Sequence, residues 1–157
     1  RINRRQRQMC IRDRFQTYIK NVLANAKMLA ETLKNNGFKI YSGGTDTHLM
    51  LVDLRPFNVK GNIASESLSR ANITCNKNGI PFDTEKPMIT SGIRLGSQAA
   101  TTRGFGLKEF EKVGELITKV IKGLAENPED NSKVEEEVRN EVVSLCSNFP
   151  IYKNLNK

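Results

Sequence analysis

The sequence contains few of the residues from which common catalytic and metal centres are built. It has a single histidine, His48, and three cysteines, Cys10, Cys75 and Cys146, without metal-ligand spacing. A single histidine excludes a multi-histidine metal site and any Ser-His or Cys-His pair with a spare base. An odd number of widely spaced cysteines fits a reducing compartment better than a disulfide framework, so we expect a cytoplasmic protein.

Several motif classes are also absent. No apolar run approaches the roughly 18 residues that a membrane span requires. The arginine-rich start is not followed by the apolar core of a signal peptide. There is no P-loop, no Gly-x-Gly-x-x-Gly after a strand, no Cys-x-x-Cys and no nucleophile elbow. We therefore expect no membrane partner, and these motifs identify no reaction.

The formal net charge of +8 is concentrated at one end of the chain. Residues 1–14 contain six arginines and one aspartate, a net charge of +5, whereas residues 15–157 contribute +3. A nucleic-acid-binding domain carries its basic residues over the folded body, so we expect this domain to bind no nucleic acid. Residues 1–14 have no apolar periodicity, and we interpret them as a disordered leader of foreign origin. A basic arm that binds RNA is the alternative.

The length and composition are those of one globular domain. A chain of 157 residues with 38% hydrophobic and 27% charged residues is long enough to bury a core. Because it begins with Arg1 rather than Met, we expect a fragment of a longer protein.

Apolar periodicity predicts an alternation of helices and strands. Three amphipathic helices are expected at Phe15 to Leu33, Leu107 to Leu124 and Pro128 to Phe149, the last with Asn127 as N-cap, and a shorter one at Ile63 to Ala71. Strands are expected at 38–41, 48–54, 73–76 and 88–95. The strand at 48–54 is apolar on both faces, which indicates a central strand covered on both sides. Together these elements predict an α/β fold of two layers, a small mixed sheet covered by helices.

Arg94 is the most informative residue of the last strand. It lies between apolar neighbours in Thr90-Ser91-Gly92-Ile93-Arg94-Leu95-Gly96. Its planar guanidinium is matched best by a carboxylate that accepts two parallel hydrogen bonds. Gly92 and Gly96 are expected to let a small ligand approach the backbone. The alternative is a structural ion pair with an acidic residue of the same chain.

Four separate blocks resemble one enzyme family. They are Ser42-Gly43-Gly44-Thr45-Asp46-Thr47-His48-Leu49, Asn72 to Asn78, Pro81 to Gly96, and Thr101-Thr102-Arg103-Gly104-Phe105. In this order and spacing they resemble the carboxy-terminal part of serine hydroxymethyltransferase, the pyridoxal-phosphate enzyme that moves a one-carbon unit between serine and tetrahydrofolate. The resemblance covers most of the chain from Phe15 onwards, which implies that residues 15–157 form the small domain of a fold-type I, aspartate aminotransferase-like transferase.

The resemblance also implies roles for single residues. It implies that Arg94 binds the carboxylate of the amino-acid substrate, serine or glycine. It implies that Asn78 and the segment Lys86-Pro87-Met88 border the tetrahydrofolate pocket. The family more often has Ser-Pro-Phe at the latter positions, so Lys86 and Met88 depart from its pattern. For Asn78 the residues alone favour turn chemistry, because Asn before Gly79 is a common turn pair.

Other functional groups are expected outside this chain. The family's cofactor lysine follows a threonine-rich run ending in His-Lys, and no lysine here has that setting. We therefore expect no catalytic residue in this fragment, no activity of the fragment alone, and a homodimer or tetramer for the full-length enzyme. His48 and Arg103 are expected to be structural. A related pyridoxal-phosphate enzyme that uses no folate is the second hypothesis, and a nucleic-acid-binding module is the third.

Overall fold

The structure, a computed structural model, describes the backbone of residues 4–151 and the side chains of residues 11–151. The helices are α1 (Arg4–Asn35), α2 (Gly61–Arg70), α3 (Gln98–Arg103), α4 (Leu107–Glu126) and α5 (Ser132–Ser147). The strands are β1 (Lys39–Ile40), β2 (Leu49–Asp53), β3 (Asn76–Asn78) and β4 (Gly92–Gly96). Two 3-10 turns occupy Tyr41–Gly43 and Arg55–Phe57. Among the described helices, none is long and apolar enough to span a membrane.

The strands form one sheet in the order β1-β2-β4-β3. Every strand pair in the described residues is antiparallel. The predicted α/β fold class is confirmed, with an antiparallel sheet in place of the mixed one. The reason lies in the connection from β3 to β4, because a loop without a helical crossover returns the chain antiparallel to its neighbour.

One face of the sheet carries the hydrophobic core. Its buried side chains include Ile40, Met50, Val52, Ile93 and Leu95, which pack with residues of α1, α2 and α4. The opposite face, which we call the open face, carries the alternate residues of the same strands. On it Leu49 is exposed and Leu51 is half-buried. Asp53, at the end of β2 on this face, is buried and paired with Arg55. Strand β2 is therefore central as predicted, but the described helices cover it on one side only, and its other side is only partly covered.

Helix α1 begins at Arg4, well before the predicted start at Phe15. The side chains of residues 11–15 are exposed, so burial does not explain this part of the extension. Adding residues to an existing helix costs little when they are good helix formers such as arginine and glutamine. The helical backbone of residues 4–14 differs from the disordered leader that we expected. The origin of the leader and its dispensability stay predictions, and residues 1–3 lie outside the described part.

Two further elements differ from expectation. Helix α3 was not predicted, because its six residues are mostly small or polar and show no apolar stripe. Helix α5 begins at Ser132 and not at Pro128. The Ser132 N–H donates to Asp130 Oδ1 at 3.0 Å, while the Asn131 side chain donates to Ser67 Oγ and to the Val120 carbonyl. The residues before Asn131 therefore form a turn instead of the first helical turn. This turn places the side-chain amide of Asn131 in the core.

A buried carboxylate connects α5 to α2. Glu135 accepts hydrogen bonds from Arg70 Nε at 2.6 Å, from Arg70 Nη2 at 2.7 Å and from Ser67 Oγ at 2.6 Å. The hydrogen bonds from Arg70 lower the pKa of the Glu135 carboxyl and outweigh the opposing effect of burial. We call Arg70, Ser67, Asn131 and Glu135 the helix-anchoring cluster.

Candidate substrate-binding site

Arg94 lies in the middle of β4, on the open face of the sheet. Its partners across the sheet are Leu51 on β2 and Asn76 on β3, so the three side chains form a row on one face. The side chain of Arg94 is exposed and makes no hydrogen bond or ion pair with any described residue. The structural ion pair that we considered as the alternative is therefore not formed within the described part of the chain.

The two glycines that flank Arg94 have different roles. A Cβ on Gly92 would lie 2.6 Å from Ile80 Cγ2 and 2.7 Å from the Val52 carbonyl oxygen, so Gly92 is required for packing within the protein. Our expectation that it admits a ligand is wrong, because that space is already filled. A Cβ on Gly96 would meet only Gln98 Oε1 and the His48 carbonyl oxygen, at 3.3 and 3.5 Å. Gly96 therefore remains compatible with a ligand close to the backbone.

A cavity of about 410 Å³ contains Arg94. It is lined by His48, Leu49, Thr74, Cys75, Asn76, Arg94, Leu95, Gly96 and Gln98. No carboxylate and no lysine is among these residues. Burial raises the pKa of the Cys75 thiol to about 11, so this thiol is neutral at physiological pH. The cavity therefore combines the positive charge of Arg94 with hydrogen-bonding side chains and no carboxylate, which suits a small anion.

Asn78 lies on the same face as Arg94. It pairs with Gly92 across β3 and β4, two residues from the pair formed by Asn76 and Arg94, and side chains alternate along a strand. Its Nδ2 donates to the Gly79 carbonyl oxygen at 2.8 Å, which is the local turn bond that the residues alone favoured. Its Oδ1 accepts no hydrogen bond from the described residues. The amide thus serves the turn and keeps an acceptor for a ligand.

The loop between β3 and β4, residues 79–91, is held by one carboxylate. Asp83 accepts hydrogen bonds from the N–H groups of Ile80, Glu85 and Ser91 and from Ser91 Oγ, at 2.7 to 3.2 Å. Desolvation alone would raise the pKa of Asp83, but these four hydrogen bonds, led by the one from Ser91 Oγ, hold it well below its usual range. The loop is therefore a fixed structure.

Lys86, Pro87 and Met88 form an exposed turn in this loop. The Lys86 carbonyl accepts hydrogen bonds from the N–H groups of Ile89 and Thr90 at 2.8 and 3.1 Å. This turn replaces the strand that Met88 was predicted to open. Thr90 then adopts a left-handed conformation with φ of 62°, which redirects the chain into β4. The sheet brings Asn78 and Arg94 onto one face, while Lys86, Pro87 and Met88 reach that region only through the loop.

The two remaining candidates, Arg103 and His48, were expected from the sequence to have structural roles. For Arg103 this is confirmed: its Nε donates to the Phe149 carbonyl oxygen at 2.6 Å and its Nη2 to that of Cys146 at 3.1 Å, at the carboxyl end of α5. For His48 the structure does not confirm a structural role of the side chain. Its carbonyl accepts from Ser97, but its half-buried imidazole lines the cavity and makes no hydrogen bond with described residues.

Gln98 also lines the cavity and was missed. Gln98 belongs to the short helix α3, whose lack of apolar periodicity gave no indication that this residue lies at the cavity. A second, larger cavity of about 790 Å³ lies between α3, α4 and α5 and is mostly apolar. Its only cation, Arg103, already binds the end of α5, so this cavity lacks a group that would bind a charged substrate. Among the residues that the structure describes, no group of three or more His, Cys, Asp or Glu side chains could hold a metal ion.

Comparison with known proteins gives one family. The family model for serine hydroxymethyltransferase matches residues 6–117, a range that includes Arg94, Asn78 and the Lys86–Met88 turn. The match begins within the 1–14 segment, where the residues had suggested no family similarity.

Three curated relatives are similar over nearly the whole chain. Serine hydroxymethyltransferase of Pelagibacter ubique is 86% identical over 145 residues, which are 92% of this chain and 33% of that protein. Those of Marinomonas sp. and Paramagnetospirillum magneticum are 62% and 61% identical over 143 residues, 91% of this chain and 34% of each relative. The chain thus spans about a third of the length of the curated relatives that it matches.

Proposed function

Because the chain belongs to the serine hydroxymethyltransferase family, we propose that it is part of an enzyme that interconverts serine plus tetrahydrofolate and glycine plus 5,10-methylenetetrahydrofolate. The observation that carries this proposal is Arg94, an arginine with no acceptor among the described residues, on a rigid strand beside a cavity without acidic side chains. In this proposal the full-length protein is the catalyst. The chain described here is inactive alone and supplies one wall of the active site.

Arg94 binds the carboxylate of serine or glycine in this proposal. Two parallel N–H···O bonds fix both the position and the angle of a carboxylate, which a single ammonium group cannot do. The strand pairs on both sides with β2 and β3, so the residue that carries the guanidinium is held by the sheet. This contact positions the substrate and moves no proton.

Asn78, Lys86, Pro87 and Met88 border the tetrahydrofolate pocket in this proposal. The position of Asn78 on the open face supports its part, since its Oδ1 can accept a hydrogen bond from a heterocycle. The exposure of Lys86 and Met88 leaves both side chains available to a ligand. Lysine and methionine at these positions remain departures from the residues that are more common in the family.

Pyridoxal phosphate is the cofactor of the proposed reaction, and this chain alone does not fit it. The cofactor requires a lysine amine for its covalent attachment, and none of the nine residues that line the Arg94 cavity is a lysine. We propose that the attachment lysine and the acid-base residues belong to the two thirds of the protein that this chain does not cover. No step through the cofactor is assigned to the residues described here.

The proposal includes a homodimeric or tetrameric full-length enzyme in the cytoplasm. The location is supported by the free cysteines Cys75 and Cys146, which are half-buried and form no disulfide. A folate-independent relative is a less supported alternative, because the relatives compared are all named serine hydroxymethyltransferase.

The test is an assay of the full-length protein reconstituted with pyridoxal phosphate. Formation of glycine from serine should require tetrahydrofolate, and this chain alone should show neither turnover nor the absorbance of a lysine-bound cofactor. Turnover of serine that does not depend on tetrahydrofolate would favour the folate-independent alternative. A lysine-specific, amine-reversible absorbance in this chain alone would contradict the proposed location of the attachment lysine.

A further inference from the structure

Phe82 is held in an unfavourable environment. Its side chain is 97% exposed. Its backbone has φ of 57°, a left-handed conformation in which a bulky residue without a compensating hydrogen bond is rare. Exposure of the ring and the left-handed backbone both oppose the choice of phenylalanine, whereas asparagine or glycine would suit the position. A residue that is unfavourable for the fold in two independent ways is a candidate for function.

The backbone on both sides of Phe82 is fixed. The Tyr41 hydroxyl donates to the Pro81 carbonyl oxygen at 3.0 Å. Asp83 accepts its four hydrogen bonds directly after Phe82, and its own N–H donates to the Ile80 carbonyl oxygen at 3.0 Å. The aromatic ring is therefore presented from a rigid support, which lowers the entropy lost when a ligand binds.

The same contacts place Phe82 at the rim of the open face. Ile80 packs over Gly92, which lies on that face together with Arg94 and Asn78. Tyr41 directly follows β1, so the hydrogen bond to Pro81 brings the loop toward the other edge of the sheet. The loop thus passes over one end of the open face, and Phe82 projects from this crossing into solvent.

The remaining exposed side chains of the loop indicate the kind of ligand. Met88 is 73% exposed, and the ammonium of Lys86 makes no ion pair or hydrogen bond with the described residues. The only ion pair of the loop joins Lys60 and Glu85 within the described part of the chain. An aromatic ring, a thioether and an available cation on one loop suit a ligand that carries both an unsaturated ring and negative charge.

We propose that Phe82 is an aromatic contact for the pterin ring system of tetrahydrofolate. This inference rests on the proposed function, in which the same loop borders the folate pocket. Phe82 binds the co-substrate through its ring face, and Lys86 attracts the carboxylates at the other end of the ligand. Phe82 takes no part in binding the amino acid, whose carboxylate belongs to Arg94.

The experiment compares Phe82→Asn with Phe82→Tyr in the full-length enzyme loaded with pyridoxal phosphate. Asparagine removes the ring and tolerates the left-handed backbone, so the variant should be at least as stable as the parent. We expect Phe82→Asn to raise the KM for tetrahydrofolate about three- to tenfold, in line with the strength of aromatic contacts. The KM for serine should stay unchanged, and Phe82→Tyr should keep the parental KM for tetrahydrofolate. Val143→Asn, at an exposed apolar position on α5, is the control and should change neither constant.

The outcomes separate this inference from the proposed function. If the parent enzyme turns over serine with tetrahydrofolate but Phe82→Asn keeps its KM, only the role of Phe82 is wrong. A changed oligomeric state with unchanged KM would assign Phe82 to a contact between subunits and would likewise overturn the inference. If the parent enzyme does not use tetrahydrofolate, the proposed function itself fails.

Discussion

Arginines in two regions of this molecule differ in one respect. Arg70, in the helix-anchoring cluster, and Arg103, at the end of α5, donate their hydrogen bonds to protein acceptors at 2.6 to 3.1 Å. Arg94, on the open face, has no acceptor among the described residues. Because a guanidinium keeps its charge and its five donors at any physiological pH, this difference separates arginines that serve the fold from one that is available to a ligand.

The same difference holds for the carboxylates. Glu135 is 4% exposed and fully engaged by Arg70 and Ser67, whereas no carboxylate lines the cavity around Arg94. Glu135 thus stabilises the fold, and the Arg94 cavity lacks the acidic side chains that would compete with a carboxylate ligand under the proposed function. The contrast predicts that substitutions in the two regions have opposite effects on activity and stability.

Arg94→Lys in the full-length enzyme should have the largest effect. Lysine keeps the charge but loses the planar pair of donors, which weakens binding and misplaces the substrate. A hydrogen bond to a charged group contributes about 1.5–3 kcal/mol, so we expect serine turnover to fall by about a hundredfold or more. Steady-state kinetics, together with the cofactor absorbance and Tm, provide the measurement.

Arg70→Lys is the matched control for this variant. It makes the same chemical change in an arginine that serves the fold, so it should lower Tm and leave the activity per folded molecule near normal. The comparison breaks down if Arg94→Lys instead lowers stability while its folded fraction turns over serine normally. In that case Arg94 has a structural role and the site assignment is wrong.

Glu135→Gln should mainly affect stability. The substitution keeps the size of the side chain but removes the charge that Arg70 and Ser67 bind within a buried cluster. Unsatisfied or weakened buried hydrogen bonds cost about 1–3 kcal/mol, and we expect a loss of about 2 kcal/mol at pH 7. Denaturant unfolding measures this loss, and an unchanged free energy of unfolding would show that the cluster does not stabilise the fold.

The pH dependence of this loss follows from the direction of the pKa shift. The pKa of Glu135 is lowered in the folded state, so its charged form stabilises the fold above the pKa of an unfolded glutamate, about 4.3. This contribution disappears as the pH falls through the folded pKa. The difference in stability between the parent and Glu135→Gln should therefore be full at neutral pH and shrink below about pH 4. A difference that grew on acidification would contradict the assigned cause.

Deletion of residues 1–14 should have the smallest effect. The side chains of residues 11–14 are exposed, so loss of this part of the helix removes little burial. We expect the Tm of this chain to change by less than about 2 °C, which corresponds to under about 1 kcal/mol for a domain of this size. A decrease of many degrees, measured by thermal unfolding followed by circular dichroism, would show that the leader packs against the domain.

The predictable parts of the fold are those with strong local patterns. The apolar stripes of α1 and α4 and the strand around Arg94 were recognised from periodicity, whereas α3 was missed because it has none. Leu49 and Leu51 led us to predict that β2 is covered on both faces, although Leu49 is exposed and Leu51 only half-buried. An apolar pattern indicates which residues avoid water. It does not indicate whether the element that covers those residues belongs to the same part of the chain.

The site required tertiary information for a different reason. Arg94 was identifiable as a candidate, but its lack of an acceptor depends on what neighbouring strands place beside it. The role of Gly92 was misjudged because the approach of Ile80 from the loop has no signature in sequence spacing. The left-handed backbone of Phe82 was not predicted either, because Pro81 marks a turn but does not require a left-handed residue after it.

The exposed charge of Arg94 also affects self-association of the chain. If two open faces packed together through Leu49 and Leu51, each would bury an arginine without an acceptor, which is costly. A charge on an exposed part of a sheet is one of the means by which proteins oppose unwanted association. We therefore expect Arg94 to help keep a newly synthesised domain monomeric until the rest of the protein covers this face, a role that precedes any encounter with substrate.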